Sequence, residues 1–381
     1  MAEELCKYYE MLFSKKKTSP RAKRTVLSHL RERRIQQASA DELERPIEDE
    51  EVQAVMEHLP LGKQAGPNRV PNAVYRCLSK AFAPKLAAIL RAAVGGGALP
   101  AEMLEGEISV MYKKKDREDV RNYRPLTMLN TDYKIYTKIL ARRMKKVVHE
   151  FVSESQKGFT PDDFIAECSM LLNLIEAWIN EEPDERKGLF LFLDMEKAFD
   201  RVSYSYLNDA LKALGFGPRF RHSVNLMYDV DNAPRRRIYA NGYYSGWFKI
   251  RSGVAQGCPL SALLFLVVAE GLRVALDCQP GFKGIKIGAK RYKLSQFADD
   301  TTLAMSSVRE LPHAEAGINL WCKATGMREN TSKREGLAMG KYRRGAHALE
   351  LPDDIDWVPE QRASAYRLAT TSMQQHGGRR R

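Results

Sequence analysis

Two adjacent aspartates, Asp299 and Asp300, separate two apolar stretches, Tyr292 to Ala298 before them and Thr301 to Met305 after them. Short runs of this kind on either side of a polar pair are typical of two strands in a hairpin, so the aspartates are expected at its tip. Neighbouring carboxylates repel each other, and a bound divalent cation is the usual compensation. Surface turns also contain such pairs, so by itself this one leaves a solvated turn open.

A third aspartate, Asp194, follows the apolar run Leu189 to Leu193. A continuous apolar run predicts a strand buried on both faces, and a carboxylate seldom ends such a strand without a partner or a chemical role. If this strand lies beside the Asp299–Asp300 hairpin, three carboxylates meet at one sheet edge. That arrangement indicates a two-metal phosphoryl-transfer site.

Composition limits the class of protein. The 381 residues carry a formal net charge of +13, and 44% of them are hydrophobic. A chain of this length is expected to form two or more lobes, and its charge favours a nucleic-acid backbone or an anionic surface as partner. The six cysteines lack zinc-site spacing, which indicates reduced, mostly buried thiols. Without a bilayer-length apolar segment, we expect a soluble nuclear or cytoplasmic protein.

The segment from Thr131 to Val152 is predicted to be a helix with two different faces. One face carries a cationic stripe formed by Lys134, Lys138, Arg142 and Lys145. The other carries apolar residues available for burial, namely Ile135, Ile139, Val147 and Phe151. The stripe suits either solvent or a nucleic acid, and the nearby run Lys113-Lys114-Lys115 favours contact with phosphates.

A loop from Ser252 to Leu260 lies between the two predicted carboxylate strands, and glycines stand close to Gln256 on both sides. Glycine lets the backbone approach a ligand closely. The start of the helix that follows offers free amide groups to a phosphate or a base. The loop is therefore a candidate ligand-binding segment.

Five segments occur in a characteristic order: Asn122-Tyr123-Arg124-Pro125-Leu126, Gln156-Lys157-Gly158-Phe159, Asp194 to Asp200, Gln256-Gly257-Cys258-Pro259-Leu260-Ser261, and Phe297-Ala298-Asp299-Asp300. With Gly62-Lys63 and Gly66-Pro67 upstream, and Asn330 and Lys333 downstream, this order resembles the reverse transcriptases of non-LTR (LINE-type) retrotransposons over residues 46–340. The resemblance implies an α+β right-hand polymerase fold whose palm is an antiparallel sheet packed on helices.

The same resemblance implies a domain order. Residues 1–45 are a charged, helical and peripheral N-terminal extension, 46–188 are the fingers, and 189–340 are the palm. Residues 341–381 are a degenerate primer-grip or thumb start followed by a basic, disordered tail, so the thumb is largely missing.

The resemblance also implies roles for individual residues. Asp194, Asp299 and Asp300 would be catalytic and would ligate two Mg²⁺ ions, with Mn²⁺ as an alternative. Lys333 would protonate the pyrophosphate as it leaves, although a surface lysine is an equal alternative.

Four further residues would bind substrate. Phe199 would exclude a ribose 2′-hydroxyl and so select deoxynucleotides. Gln256 would contact the nascent base pair or the template. Arg124 and Lys134 would hold the triphosphate or the template, and Lys134 is equally explained by the cationic stripe.

The implied function is that of an RNA-directed DNA polymerase acting on an RNA template, a DNA or RNA primer and dNTP, without a membrane. The alternative is an inactive polymerase remnant that binds RNA or an RNA/DNA hybrid. Phe199 and the Phe-Ala before Asp299 argue against an RNA-dependent RNA polymerase.

In Pro161-Asp162-Asp163, Asp163 replaces an arginine usual in the family, and this acid is expected to weaken the affinity for the template.

Overall fold

The computed structural model describes residues 2–113, 116–161, 163–343, 348 and 350–358. Its helices are α1 Ala2–Leu12, α2 Pro20–Leu30, α3 Gln37–Leu43, α4 Asp49–Glu57, α5 Asn72–Cys77, α6 Ser79–Val94, α7 Thr131–Lys145, α8 Val148–Phe151, α9 Ile165–Glu181, α10 Tyr204–Ala213, α11 Pro218–Asn225, α12 Ser261–Asp277 and α13 Leu311–Thr325. Its strands are β1 Gly106–Tyr112, β2 Tyr123–Leu129, β3 Lys187–Leu193, β4 Arg235–Ala240, β5 Tyr243–Tyr244, β6 Phe248–Lys249, β7 Ile285–Ile287, β8 Lys290–Tyr292, β9 Leu294–Phe297, β10 Asp300–Met305, β11 Glu335–Gly340 and β12 Asp356–Trp357. The mixed content agrees with the predicted class.

The chain forms two compact units, each built from separated segments. The first contains residues 1–151 and 199–268, and the second contains 152–198 and 269–381. These units divide the chain differently from the predicted fingers and palm, whose boundaries stay a prediction. Lys114, Lys115 and Asp162 lie outside the described residues, as does most of the predicted tail.

The first unit contains a five-stranded sheet in the order β2-β1-β4-β5, with β6 also paired to β4. Strand β1 runs antiparallel to β2 and parallel to β4. The predicted helix from Thr131 to Val152 is interrupted after Lys145, so that α7 and the short α8 take its place. The four predicted apolar residues are all buried, with Ile135 and Ile139 in α7, Val147 between the two helices and Phe151 in α8. The cationic stripe of α7 is partly buried along most of its length.

The N-terminal segment, expected to be peripheral, contributes to the core of the first unit. Tyr9, Val26 and Leu30 are each 0% exposed. The hydroxyl of Tyr9 donates to the carbonyl of Tyr123, and α1 packs against β4 and β6. Its apolar spacing, rather than its charge, therefore determines where this segment packs.

The second unit contains a five-stranded sheet in the order β12-β11-β3-β10-β9, and all its pairs except β11 with β12 are antiparallel. Helix α9 packs against β9 and β11. The core between them includes Ile179, Phe190, Leu337 and Met339, each at most 2% exposed. The predicted buried strand before Asp194 is thus the central strand β3.

Two expectations from composition can be compared with the fold. All six cysteines are free thiols, but only Cys6, Cys168 and Cys258 are buried, so the prediction of mostly buried thiols is wrong for half of them. Among the described residues, none of the helices combines the length and apolarity needed to cross a bilayer.

Candidate active site

The hairpin predicted at the aspartate pair is present in the second unit. Strand β9 ends at Phe297, which pairs with Asp300 at the start of β10, and only Ala298 and Asp299 lie between them. Ala298 has a φ of +59°, a left-handed value that residues with a side chain seldom adopt. The turn is therefore tight and strained, and Asp299 lies at its tip.

Sheet register brings the third aspartate to the same edge. Leu193 of β3 pairs with Thr301 of β10 in an antiparallel ladder. In such a ladder the next residue of one strand faces the preceding residue of the other, so Asp194 and Asp300 lie opposite each other beyond this pair. The backbone thus produces the juxtaposition that the sequence predicted.

A buried glutamine, Gln156, holds the turn in place. Its side chain is 2% exposed, and its Oε1 accepts from the backbone N–H groups of Ala298 (2.9 Å) and Gly158 (2.8 Å). Its Nε2 donates to the carbonyl of Ala298 at 3.2 Å. One amide group therefore satisfies both backbone groups of the strained residue.

Gly158 packs directly behind the same turn. A Cβ at this position would lie 2.2 Å from the backbone N of Ala298, so only glycine fits. Nearby, the predicted template-repelling acid, Asp163, is neutralised by Lys157 at 2.7 Å. Glu167 also contacts Lys157, and hydrogen bonding to Asp163 raises the pKa of this lysine. The Asp163 charge is therefore internally paired.

Asp194 is engaged by the two downstream residues of the family pattern. Lys333 Nζ donates to Asp194 Oδ2 at 2.7 Å, and both side chains are about two-fifths exposed, at 39% and 41%. Asn330 Nδ2 reaches the same oxygen at 3.3 Å, and the Asn330 backbone N–H donates to the Asp194 carbonyl at 2.8 Å. Asp194 is thus oriented from two sides.

The fit of these residues to a divalent metal depends on donor chemistry and on backbone position. Carboxylates are the oxygen donors that Mg²⁺ prefers. Within the described part of the chain, no group of three His, Cys, Asp or Glu side chains is arranged to hold a metal ion. The register brings the three aspartates to one edge of the sheet, and their role as metal ligands stays a prediction.

The first unit contains Phe199 and Gln256, which a loop contact brings together. The Val254 N–H donates to the Phe199 carbonyl at 2.8 Å, and Gln256 Nε2 approaches Asp200 Oδ1 at 3.5 Å. The Phe199 ring is partly exposed and stacks on Phe265, with centroids 4.8 Å apart.

Glycines let this loop approach the chain's own backbone, and the expected approach to a ligand stays a prediction. Gly253 has a φ of +87°, and a Cβ there would lie 2.7 Å from the Asp200 carbonyl oxygen. Gly257 has a φ of +114°, and a Cβ there would lie 2.8 Å from the carbonyl oxygen of Thr127. Thr127 in turn donates its N–H to the Gln256 carbonyl at 3.1 Å. The loop is therefore attached both to the Phe199 segment and to the free edge of β2.

The two predicted cations of the first unit differ in environment. Arg124 is exposed on β2, opposite Met111 of β1. Lys134 lies in the first turn of α7 and is partly buried, and this burial lowers its pKa. The structure does not bring these two side chains into direct contact with Phe199 or Gln256 among the described hydrogen bonds and ion pairs.

Comparison with known proteins gives the family. Residues 112–358 match the family described as reverse transcriptase (RNA-dependent DNA polymerase), and this range includes the aspartate hairpin, Asp194, Phe199 and Gln256. The chain belongs to the reverse transcriptase family. Its ordered motifs lie within this match, and its mixed α/β structure is consistent with a reverse transcriptase domain.

Curated relatives of this reverse transcriptase are retrotransposon proteins. It is 29% identical to the transposon TX1 uncharacterized 149 kDa protein of Xenopus laevis over 88% of this chain and 25% of the relative. It is 29% identical to a Pol polyprotein from the type-1 element R2 of Popillia japonica, over 64% of this chain and 33% of the relative. It is 26% identical to a probable RNA-directed DNA polymerase from transposon BS of Drosophila melanogaster, over 76% and 32%. The chain spans a quarter to a third of these relatives.

Sequence reasoning assigned no role to two residues that the structure places at the site. Gln156 lies in one of the motifs that resemble the family, and Asn330 lies downstream of the Asp299–Asp300 pair. Neither residue type by itself indicates that its side chain holds a distant segment in place. The available signal for Gln156 was a polar residue two positions before Gly158. Its partner Ala298 is 142 positions away, so spacing could not reveal the contact.

Proposed function

We propose that this reverse transcriptase domain is an RNA-directed DNA polymerase that adds deoxynucleotides to a primer 3′-hydroxyl. The observation that carries the proposal is the register that sets Asp194 opposite Asp300 beside the Asp299 turn. The match to the family over residues 112–358 supplies the reaction class. RNA template, primer and dNTP are the proposed substrates.

The carboxylates are the proposed catalytic and metal-binding groups. Asp194, Asp299 and Asp300 would hold two Mg²⁺ ions, which activate the primer hydroxyl and neutralise the leaving pyrophosphate when bound. Asn330 orients the Asp194 carboxylate through its side chain and its backbone. Lys333 contacts Asp194 through Nζ and would donate a proton from this atom to the pyrophosphate.

The first unit would select and position the nucleotide. The partly exposed Phe199 ring would clash with a ribose 2′-hydroxyl, and its stacking on Phe265 keeps the ring in one orientation. Gln256 would contact the nascent base pair or the template. Arg124 and Lys134 would bind phosphates, and partial burial strengthens the attraction of Lys134 to a phosphate because fewer waters screen it. Residues 46–188 and 189–340 are the proposed fingers and palm.

One observation favours a second candidate, a remnant that binds RNA or an RNA/DNA hybrid without turnover. Asp194 Oδ2 is occupied by Lys333, and the side chains of the described residues form no ready three-carboxylate set. A metal ion has to compete with this ion pair. Both candidates bind RNA, but only the polymerase extends a primer, so one extension assay separates them.

The test is primer extension on poly(rA) with an oligo(dT) primer, dTTP and Mg²⁺. The unmutated chain is expected to extend the primer, and Asp299→Ala is expected to lower the rate at least about 100-fold while the fold is retained. Asp353→Ala, which removes an exposed aspartate from the same unit, is the matched control and should extend normally. Binding without extension by the unmutated chain would establish the remnant instead.

Nucleotide choice gives an independent test of the role proposed for Phe199. Phe199→Val should raise incorporation of UTP relative to dTTP, because the smaller side chain leaves room for the 2′-hydroxyl. The ratio of the two extension rates is the measurement. An unchanged ratio in an active variant would remove Phe199 from the proposed role.

A further inference from the structure

One face of the sheet in the first unit carries aromatic rings and guanidinium groups together. Cross-strand pairing places Tyr239 opposite Tyr244, and Arg235 opposite Lys249, so these residues share a face. Arg237, two residues after Arg235, points to the same side. We define the aromatic–arginine face as Arg69, Arg235, Arg237, Tyr239, Tyr244 and Trp247.

The rings of this face are exposed and lie against cations. Tyr244 is 40% exposed and Trp247 is 39% exposed, although both are large apolar side chains. The Arg237 guanidinium carbon lies 3.9 Å from the Tyr244 ring centroid and 4.8 Å from that of Trp247. Arg235 adds a third contact, 5.7 Å from Trp247. Cation–π attraction therefore holds the rings in place while part of each remains available.

A carboxylate beneath the face fixes the guanidinium groups. Glu107 is 1% exposed, and its Oε1 accepts from Arg237 Nη2 at 2.5 Å and from Arg69 Nη2 at 3.2 Å. The same Arg69 nitrogen also donates to the Tyr244 hydroxyl. Arg69 adopts a φ of +59°, which a residue with a side chain seldom does. These contacts hold the planar groups in fixed positions while 55% of the Arg69 side chain remains exposed.

We propose that the aromatic–arginine face binds single-stranded RNA by stacking bases on Tyr244 and Trp247. Every base has a π-face, so aromatic rings bind single strands with little dependence on sequence. The exposed Lys249 beside the rings provides positive charge for the phosphates, and Arg235, which is ion-paired with Glu105 at 2.7 Å, keeps 49% of its side chain exposed. Only the choice of RNA as ligand rests on the proposed polymerase function.

The experiment measures fluorescence anisotropy of a labelled 12-nucleotide oligo(U) with the full chain, without dNTP or metal. Tyr244→Ala/Trp247→Ala should weaken binding about tenfold or more, since each ring stacks a base. Tyr244→Phe/Trp247→Phe should retain the affinity, because both positions stay aromatic. Duplex RNA of the same length should bind both proteins alike, because its bases are already stacked.

The matched control is Tyr243→Ala. Tyr243 belongs to the same hairpin and is 74% exposed, but it pairs with Ala240 and so points to the opposite side of the sheet. Its removal should leave RNA affinity unchanged. An equal loss for this variant, an equal loss on duplex RNA, or no loss for the double alanine variant would each overturn the proposal.

A second measurement covers failure of the double alanine variant to fold. Oligo(U) should quench tryptophan fluorescence of the unmutated chain, and Trp247→Phe should remove a large part of that quenching. Unchanged quenching in this variant would overturn the proposal. Because these assays contain no extension step, an inactive polymerase with intact stacking remains distinguishable from an active one that lacks it.

Discussion

The Asp299 turn and the Gln256 loop both contain backbone at positive φ, and each accommodates it in a different way. Both need backbone in a left-handed conformation next to proposed catalytic or substrate-binding residues. In the loop, the residues at positive φ close to other backbone are Gly253 and Gly257, and for glycine this conformation carries no steric cost. In the turn it is Ala298, and a buried amide compensates by satisfying both backbone groups of that residue.

The difference shows where local sequence can reveal a constraint. A glycine that tolerates a positive φ and avoids a backbone clash is visible in the sequence as a glycine. A strained alanine is visible only through the distant side chain that stabilises it. Single substitutions at Gly253, Gln156 and Ala298 test this comparison.

Gly253→Ala should have the largest effect. An alanine at a φ of +87° is strained by about 1–2 kcal/mol, and its Cβ would lie 2.7 Å from the Asp200 carbonyl oxygen, which adds about 1–3 kcal/mol. Urea unfolding should therefore show a loss of about 3 kcal/mol, with reduced primer extension. Gly246→Ala, where a Cβ meets nothing within 4 Å and φ is not positive, should unfold like the unmutated chain. Equal stability of both variants would contradict the argument.

Gln156→Met should have the next largest effect. The substitution keeps the volume but leaves the amide groups of Ala298 and Gly158 without their acceptor, which costs about 2–3 kcal/mol. The free energy of unfolding should fall by this amount, and extension should fall because the Asp299 turn is released. Gln37→Met, at an exposed helical position, is the control and should leave both unchanged. A stable, fully active Gln156→Met protein would show that the hydrogen bonds of the Gln156 side chain are dispensable.

Ala298→Gly should have a small effect of opposite sign. Glycine removes about 1–2 kcal/mol of left-handed strain and loses about 0.5–1 kcal/mol through the greater freedom of the unfolded chain. The variant should be more stable than the unmutated chain by up to about 1 kcal/mol in urea unfolding. A clear loss of stability would mean that the turn depends on the alanine side chain rather than merely tolerating it.

The smallest effect concerns Lys134 and Lys157, whose pKa values are shifted in opposite directions by folding. Burial lowers the pKa of Lys134, so the unfolded chain binds this proton more readily, and the lysine's contribution to stability should improve as pH rises from 8 toward 10.5. The unfolding free energy of the unmutated chain minus that of Lys134→Met should therefore increase across this range.

Lys157 is the control, because hydrogen bonding to Asp163 raises its pKa. Its contribution is fully present below its unfolded pKa and is lost only as pH rises through the higher folded value. The difference between the unmutated chain and Lys157→Met should therefore not increase from pH 8 to 10.5. An increase for Lys157 with none for Lys134 would reverse the assignment of the two environments.

Several features followed from the sequence because their causes are local. Apolar runs predicted β3, β9 and β10, and helical spacing predicted which residues between Thr131 and Val152 are buried. The ordered motifs identified the reverse transcriptase family. Glycines around Gln256 indicated a backbone that packs closely, since the residue type itself carries the conformational information, although the predicted ligand stays a prediction.

Only the tertiary structure decided how distant residues meet. Register set Asp194 opposite Asp300, and chain folding brought Gln156 to Ala298 and Lys333 to Asp194. These contacts depend on long-range pairing, whose geometry no sequence spacing encodes. The N-terminal helices likewise contribute to the core, because the apolar face of α1 packs against β4 and β6 and that of α2 packs against α10, although their charge indicated a peripheral segment. The sequence thus determined which acids could act together, and packing determined how each one is held.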